Sequence, residues 1–223
     1  MPHPQLVIFD CDGVLIDSEV ISARMLVAEL AEYGVTIDLD YVAKHFLGRS
    51  YPVVLAQIRA EFGIGLPEGF EADYRTRLMR AFRTELKIVD GVREVIERLA
   101  VPYCLATSSS PERLAASLEI VGLTGLFAGL TTTATEVGKG KPAPDLFLKA
   151  AEKQGVAPQS CLVIEDSFAG IRAALAAEME VWHFKGASHM TGLTLPPDPI
   201  ARPHREFASF AEFFHLAPQL ERK

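Results

Sequence analysis

The sequence predicts an α/β fold: a three-layer sandwich around a parallel sheet, with an inserted domain of α-helices. Three short apolar runs, at Leu6–Phe9, Tyr103–Ala106 and Cys161–Ile164, carry this prediction. Each run is continuous rather than alternating, as in strands buried on both faces, and is followed by a small or acidic polar cluster and then by a helix-like segment. Strands that alternate with helices of about ten residues are typical of βαβ units, whose strands are parallel.

Further elements of the sheet domain follow the second and third runs. Ser110 and Pro111 have the residue types that begin a helix, since serine caps helix N-termini and proline fits the first turn. In chain order, we predict helices at Pro111–Val121 and Phe168–Ala177, a strand at Glu180–Phe184 and a short helix near Phe207–Leu216. A Pro-rich stretch at 195–199 predicts a surface loop before the last helix.

The stretch from 17 to 84 interrupts this alternation, because it has helical periodicity without strand-like runs between the helices. The predicted helices of this stretch are Glu19–Tyr33, Tyr51–Phe62 and Glu68–Phe82. We therefore predict a helical domain at residues 16–84, inserted into an α/β core of residues 1–15 and 85–223. Two linkers would join the domains, which allows hinged opening and closing.

The composition argues against several classes of function. Acidic residues outnumber basic ones by 29 to 22, for a net charge of −7, and no Lys/Arg cluster stands out, so we expect no nucleic-acid partner. The sequence has no signal peptide and no apolar stretch of membrane-spanning length, which predicts a cytoplasmic protein without a membrane partner. Nothing in it indicates an obligate protein partner, and we expect a monomer or a weak dimer.

The cysteines and histidines show no metal-binding pattern. Cys11, Cys104 and Cys161 lie in or beside apolar runs, which predicts buried free thiols. The six histidines are scattered, with no pair at ligand spacing, and we interpret all of them as structural or surface residues.

Polar residues suited to catalysis follow each of the three apolar runs. Asp10 and Asp12 follow the first, Thr107 the second, and Glu165 and Asp166 the third. Because the carboxyl ends of parallel strands meet at one edge of the sheet, where open α/β sheets bind ligands, we expect these side chains to line one pocket. Neighbouring carboxylates repel each other unless a cation or a shared proton compensates, and oxygen ligands suit Mg²⁺.

A lysine, Lys141, lies in a Pro-stiffened loop just before a predicted helix and would add a positive charge. Two other motifs are excluded. A calcium-binding loop that began at Asp10 would need glycine and glutamate where Leu15 and Ile21 stand. A phosphate-binding loop of the Walker A type would need Ser or Thr after a Gly-Lys pair, and neither such pair has one.

Together these motifs resemble, in type and order, the haloacid dehalogenase superfamily, specifically its phosphatase branch with a helical cap after the first motif. The motifs are Asp10-Cys-Asp12-Gly, Thr107-Ser108, Lys141-Pro-x-Pro-Asp and Glu165-Asp166-Ser-x-x-Gly170. The resemblance covers essentially the whole chain, and the segments Asp17–Ile21 and Gly34–Asp38 are most similar to the bacterial 6-phosphogluconate phosphatase type. It implies a Rossmann-like parallel sheet with an inserted helical cap.

The resemblance also implies a reaction, the Mg²⁺-dependent hydrolysis of a small phosphorylated metabolite such as a sugar or sugar-acid phosphate. Asp10 would attack phosphorus and form an aspartyl-phosphate. Asp12 would protonate the leaving oxygen and then deprotonate the attacking water. Lys141 would neutralise charge on Asp10 and on the phosphoryl group.

Binding residues are implied in the same way. The phosphoryl group would be held by Thr107, Ser108 and Lys141. The Mg²⁺ ligands would be Asp10, Asp12 through its backbone carbonyl, and Asp166, with Glu165 either a ligand or a neighbour of one. Arg49, in the predicted cap, is a candidate for binding a second anionic group of the substrate; its alternative interpretation is a surface arginine.

Three other functions are weighed against this one. A β-phosphoglucomutase-like phosphosugar mutase would share the core, but such enzymes usually have histidine where Ser22 stands and arginine where Tyr51 aligns. A haloacid dehalogenase would attack carbon without a metal and has no need of Asp12. A non-enzymatic metabolite-binding protein would be expected to have lost Asp10, Asp12 or Lys141.

Overall fold

The computed structural model describes residues 3–191 and 198–223. In this part of the chain six strands form one sheet, in the order β3-β2-β1-β4-β5-β6, and every neighbouring pair is parallel. The strands are β1 (Leu6–Phe9), β2 (Tyr103–Thr107), β3 (Thr131–Thr133), β4 (Cys161–Glu165), β5 (Glu180–Phe184) and β6 (Arg205–Phe207). The predicted parallel α/β fold is confirmed, and β1 and β5 have the predicted bounds.

Helices follow or precede most of these strands. Four of them, α1 (Glu19–Ala31), α2 (Leu39–His45), α3 (Tyr51–Phe62) and α4 (Phe70–Glu85), come between β1 and β2, and we call residues 19–85 the helical insertion. The others are α5 (Val92–Arg98), α6 (Pro111–Ile120), α7 (Asp145–Gln154), α8 (Phe168–Ala176) and α9 (Phe213–Leu216). In the described residues no helix is both long and apolar enough to cross a membrane.

Different helices cover the two faces of the sheet. Leu6 and Ile8 of β1 share a buried cluster with side chains of α7 and α8. Val7 and Phe9 face the opposite way and share a second cluster with side chains of α5, α6 and the insertion. All four residues of β1 are fully buried, which explains why its sequence is continuously apolar.

The two chain segments that join the insertion to the sheet run side by side. Ile16 and Ile88 form an antiparallel bridge. On either side of it the Asp17 N–H donates to the Lys87 carbonyl and the Val89 N–H donates to the Leu15 carbonyl, each at 2.9 Å. The insertion is therefore attached through one paired double linker at the edge of the sheet.

The prediction for the end of the chain is partly wrong. Arg205–Phe207 is strand β6, a 3₁₀ turn occupies Phe210–Glu212, and only Phe213–Leu216 is α-helical. The phenylalanines at 207, 210 and 213 are spaced three apart, which imitates a helical period, but they pack as an aromatic cluster with Phe184. Residues 195–197 of the predicted Pro-rich loop lie outside the described residues.

The prediction of buried, unpaired thiols is confirmed. Cys11, Cys104 and Cys161 are all free and buried. Burial raises the pKa of Cys104 to about 12 and that of Cys161 to about 11, so these two are inert thiols at neutral pH.

Candidate active site

The strand order brings the predicted polar residues to one edge of the sheet. Because β1 lies between β2 and β4, Asp10 stands between Thr107, at the end of β2, and Glu165, at the end of β4. The Lys141 side chain reaches in from the loop before α7, where its Nζ donates to Asp10 Oδ1 and, at 2.5 Å, to Glu165 Oε1. These four side chains are buried together.

Three buried carboxylates meet at this edge. Single carboxylate oxygens of Asp10, Glu165 and Asp166 all lie within 4.8 Å of one another. Burial raises the pKa of Asp10 well above its usual range; Lys141 opposes this effect, and the charges of Glu165, Asp166 and Asp12 add to it. Burial, followed by the charge of Glu165, likewise raises the pKa of Asp166. One lysine therefore does not offset the cluster, and a cation would relieve the remaining repulsion.

Asp166 has a carboxylate oxygen that could serve as a metal ligand. Its Oδ2 is buried and has no well-formed hydrogen bond within the described part of the chain. Gly13, with φ of +81°, lies against this atom, and a Cβ there would come within 2.0 Å of it. Glycine is thus required both for the backbone conformation and for the close approach of this segment to the carboxylate.

Glu165 is fully engaged with protein groups. Its Oε1 accepts from Lys141, and its Oε2 accepts from the Ser167 N–H at 2.6 Å and the Ser167 hydroxyl at 3.0 Å. Burial alone would raise the pKa of Glu165, but Lys141 and Ser167 outweigh it and lower the pKa. Glu165 is therefore an ionised partner that holds Lys141 in place.

Asp12 is bound on both of its carboxylate oxygens. Oδ1 accepts from the Ser18 hydroxyl at 2.6 Å and from Arg113 Nη2 at 2.7 Å, and Oδ2 accepts from the Ser109 hydroxyl at 2.7 Å. Burial works against the charged form, but Arg113 and the two hydroxyls outweigh it, so the pKa of Asp12 lies below its usual range. Asp12 and Asp10 are thus placed in contrasting environments, one with several donors and one beside a lysine among other acids.

The helical insertion forms the opposite wall of a cavity of about 250 Å³ above these residues. The cavity is lined from the sheet side by Asp10, Asp12, Thr107, Ser108 and Lys141, and from the insertion by Ser22, Gly48, Arg49, Tyr51 and Arg75, among others. The insertion touches the sheet directly, because the Ser108 hydroxyl donates to the Gly48 carbonyl at 3.1 Å. The cavity is therefore enclosed by both parts of the chain.

Arg49 stands at the margin of this cavity. Its side chain is exposed, and Nη1 donates to Gln57 Oε1 at 3.2 Å. Within the described residues no carboxylate pairs with it.

Thr107, at the end of β2, is buried, and its Oγ1 accepts from the Ser109 N–H at 3.0 Å.

Sequence reasoning missed several side chains of the site. Ser109 and Arg113 contact Asp12, and His189 is buried with its Nε2 3.0 Å from Asp166 Oδ2. The interpretation of the six histidines as structural or surface residues stays a prediction, and His189 is the one that lies against a candidate metal ligand. No spacing signal marks it, because it belongs to the segment after β5 while Asp166 follows β4.

Comparison with known proteins gives consistent matches along the chain. A family model described as haloacid dehalogenase-like hydrolase matches residues 4–178. The 6-phosphogluconate phosphatase of Escherichia coli (strain K12) is 29% identical over 198 residues, which are 88% of this chain and 89% of that protein. The fructose-1-phosphate phosphatase of the same organism is 33% identical over 178 residues, 78% of this chain and 92% of its own.

A solved structure extends the similarity to three dimensions. The crystal structure of a HAD family hydrolase from Deinococcus radiodurans R1, with bound phosphate and sodium, superposes with a TM-score of 0.73 at 33% sequence identity. The match covers 97% of this chain and 97% of that one.

Proposed function

Because the chain belongs to the haloacid dehalogenase-like hydrolase family, we propose that it is a Mg²⁺-dependent phosphatase for a small sugar or sugar-acid phosphate. The observation that carries the proposal is the pairing of Lys141 with Asp10, two residues from the hydrogen-bonded Asp12, inside one cavity. A carboxylate nucleophile, a second carboxylate and a fixed positive charge are what phosphoryl transfer through an enzyme-bound phosphate requires.

The reaction divides between the two aspartates. Asp10 attacks phosphorus, the bond to the leaving oxygen breaks, and that oxygen takes a proton from Asp12. Because the pKa of Asp12 is low in the free protein, Asp12 must take up this proton when the negatively charged substrate binds beside it, since a nearby negative charge raises the pKa of a carboxyl group. Asp12, now ionised, takes a proton from a water molecule that attacks the aspartyl-phosphate, which releases phosphate and restores Asp10. Lys141 holds Asp10 and balances its charge, while Thr107 and the Ser108 backbone N–H hold phosphoryl oxygens.

Metal binding is assigned to the acidic cluster. The side chains of Asp10 and Asp166 and the backbone carbonyl of Asp12 would hold Mg²⁺, an ion that prefers oxygen ligands. When bound, the ion supplies positive charge that offsets the carboxylates and the phosphoryl oxygens. Because both oxygens of Glu165 are engaged by Lys141 and Ser167, we assign it to positioning Lys141 rather than to the ion.

Metal binding should stabilise the fold measurably. Mg²⁺ at 100 times its dissociation constant should add about 2.7 kcal/mol to the free energy of unfolding, which raises the melting temperature. In Asp166→Asn the metal-free protein should melt at the same or a higher temperature, since a repelling charge is gone, and the response to Mg²⁺ should largely disappear. The matched control is Asp90→Asn, at an exposed acid outside the site. An unchanged Mg²⁺ response in Asp166→Asn would exclude this ligand set.

We assign the helical insertion the role of a cap that closes over the substrate. The paired linkers at Ile16 and Ile88 provide a hinge, and Gly48 is one of the residues of the insertion that contact the sheet domain. Gly48 has φ of +72°, and a Cβ there would lie 2.2 Å from the Ser167 hydroxyl. Closure would exclude water while the phosphoryl group is transferred to Asp10.

Gly48→Ala should therefore hold the cap away from the sheet. We expect kcat/KM to fall about tenfold or more, since misplacement by about 1 Å is enough to cost that much in catalysis. The measurement is steady-state phosphate release, with Gly63→Ala as control because Gly63 has a similar φ of +62° but no atom within 4 Å of an added Cβ. Equal losses in the two variants would show that backbone strain in the insertion, and not closure, is responsible.

The substrate class is supported by the relatives and by the cavity. The two Escherichia coli relatives carry the names of enzymes acting on 6-phosphogluconate and on fructose 1-phosphate. Arg49, which has no carboxylate partner in the described part of the chain, is proposed to bind an anionic or polar group at the far end of the substrate. The mutase alternative is less favoured, because Ser22 and Tyr51 stand where such enzymes usually have histidine and arginine. Both side chains have other contacts: the Ser22 hydroxyl accepts from Arg113, and Tyr51 stacks on Tyr74 with ring centres 4.6 Å apart.

The proposed function is tested by phosphate release with Mg²⁺ from a panel of phosphomonoesters. The panel contains 6-phosphogluconate, fructose 1-phosphate, glucose 6-phosphate, phosphoglycolate and β-glucose 1-phosphate. We expect turnover of sugar or sugar-acid phosphates that chelation of the metal removes. Conversion of β-glucose 1-phosphate to glucose 6-phosphate without phosphate release would support the mutase instead, and no release from any compound would contradict the proposal.

A further inference from the structure

Arg113 connects the acid–base carboxylate of the proposed reaction with the helical insertion. It stands in the first turn of α6, on the sheet side, and its Nη2 donates to Asp12 Oδ1 at 2.7 Å. The same nitrogen lies 3.3 Å from the Ser22 hydroxyl of α1, and the guanidinium carbon lies 5.3 Å from the ring centre of Phe82 in α4. One side chain thus contacts Asp12 and two helices of the insertion.

The position of this arginine is tightly determined. Its side chain is 23% exposed, and that of Asp12 is 13% exposed. The two face each other across the junction between the sheet and the insertion, so a movement of α1 or α4 changes the surroundings of Arg113 and, through Arg113, those of Asp12. Arginine suits this place because its planar group can donate in fixed directions to two partners while stacking on an aromatic ring.

Asp12 can serve as an acid or a base only if its carboxylate oxygens point toward the reacting atom. A general acid or base must come within hydrogen-bond reach of the atom that gains or loses the proton. Of the three side chains that donate to Asp12, Ser18 begins α1 and Arg113 contacts α1 and α4, whereas Ser109 belongs to the sheet. Two of the three donors therefore depend on where the insertion lies.

We propose that Arg113 is a positioning residue that aligns Asp12 for proton transfer when the insertion closes on the sheet. The inference rests on the proposed function, because it takes Asp12 to be the acid and base of a phosphatase. It assigns no contact with substrate to Arg113, and the reacting atoms and the proton balance stay those given above. The substrate's arrival would be coupled to Asp12 through α1, α4 and this side chain.

The test compares two leaving groups in Arg113→Gln and Arg113→Lys. A sugar alkoxide needs a proton to leave, whereas p-nitrophenolate leaves readily without one. We expect Arg113→Gln to lower kcat for the sugar phosphate about 10- to 100-fold, part of the contribution of general acid–base catalysis, with KM changed little. With p-nitrophenyl phosphate the first turnover should remain fast and release close to one equivalent of p-nitrophenol. Later turnovers should be slow, because Asp12 must still activate water.

Two further variants complete the design. Arg113→Lys keeps a positive charge, but an ammonium group lacks the planar guanidinium that contacts both Asp12 and Ser22. Its kcat should therefore lie between those of wild type and Arg113→Gln. The matched control is Arg93→Gln. Arg93 donates to the backbone carbonyls of Val121 and Gly122 at the far end of α6, pairs with Glu97 at 3.8 Å, and lies outside the cavity. This control should behave as wild type with both substrates.

Each remaining outcome overturns the inference in a recognisable way. Equal loss of the first turnover with both substrates would show a general structural role. A raised KM with unchanged kcat would show direct contact with substrate, and wild-type kinetics in Arg113→Gln would show no role. If the wild-type chain itself releases no phosphate from any phosphomonoester, the proposed function fails, and the inference fails with it.

Discussion

Asp10→Asn should lower phosphate release by at least about 10⁴-fold, the scale of loss when an enzyme's nucleophile is removed. The amide has nearly the shape of the carboxylate but cannot attack phosphorus. The fold should persist, because burial and the neighbouring acids already disfavour the charge on Asp10, and Lys141 keeps Glu165 as its partner. The metal-free variant should therefore melt no lower than wild type.

Asp10→Asn should lose catalysis but keep substrate binding, and the loss of an acidic side chain elsewhere should not have this effect. Calorimetry should still detect substrate binding to Asp10→Asn, since the lysine, Thr107 and the backbone donors remain. Asp90→Asn, which changes an exposed acid at the start of the α5 segment, is the matched control and should keep full activity. Activity in Asp10→Asn within a factor of ten of wild type would remove Asp10 from the reaction.

Lys141→Met should have the second large effect, on activity and on stability together. Methionine fills a similar volume but leaves Asp10 and Glu165 as buried carboxylates without their positive partner. Removing one member of a buried ion pair costs about 3–5 kcal/mol of the free energy of unfolding, and we expect a loss on this scale at neutral pH in metal-free buffer. Phosphate release should fall by about 10³-fold or more, because the charge on the phosphoryl group is no longer balanced.

The stability loss in Lys141→Met should depend on pH. Without the lysine, the pKa of Asp10, which burial already raises, rises further, and the pKa of Glu165 rises above its value in the unfolded chain. The folded variant then binds more protons than the unfolded one, so the difference from wild type is largest at neutral pH and shrinks as the pH falls. Urea unfolding at two pH values measures this. The control Lys139→Met, at an exposed lysine of the same loop, should show neither effect, and a pH-independent loss would point to packing alone.

Residues that end buried strands were predictable from sequence. In β1, β2 and β4 the change from apolar to polar residues shows where each strand ends. Because these strands pair in parallel, Asp10, Thr107 and Glu165 lie together at one edge of the sheet. The helices with strong periodicity were predictable in the same way, and α3 has the predicted bounds Tyr51–Phe62. Local patterns are sufficient where the signal lies within one element.

Residues whose role depends on how elements pack were not predictable. Arg113 is 101 positions from Asp12 in the chain, and nothing in its local sequence says which face of α6 it occupies. His189 approaches Asp166 from a segment after β5 with no motif of its own. The edge strand β6 was not predictable because two of its three residues are exposed, and its single buried residue, Phe207, continues a false helical period at the start of the predicted helix.

The most direct test of the account is to find the phosphoryl group on the protein during turnover. The enzyme is mixed with Mg²⁺ and the best substrate of the panel, quenched in acid within the first turnovers, digested and examined by mass spectrometry. We predict a phosphoryl adduct on the peptide that contains Asp10, absent from Asp10→Asn. Rapid phosphate release with that peptide unmodified throughout, or with the adduct on another residue, would contradict Asp10 as the nucleophile and the mechanism built on it.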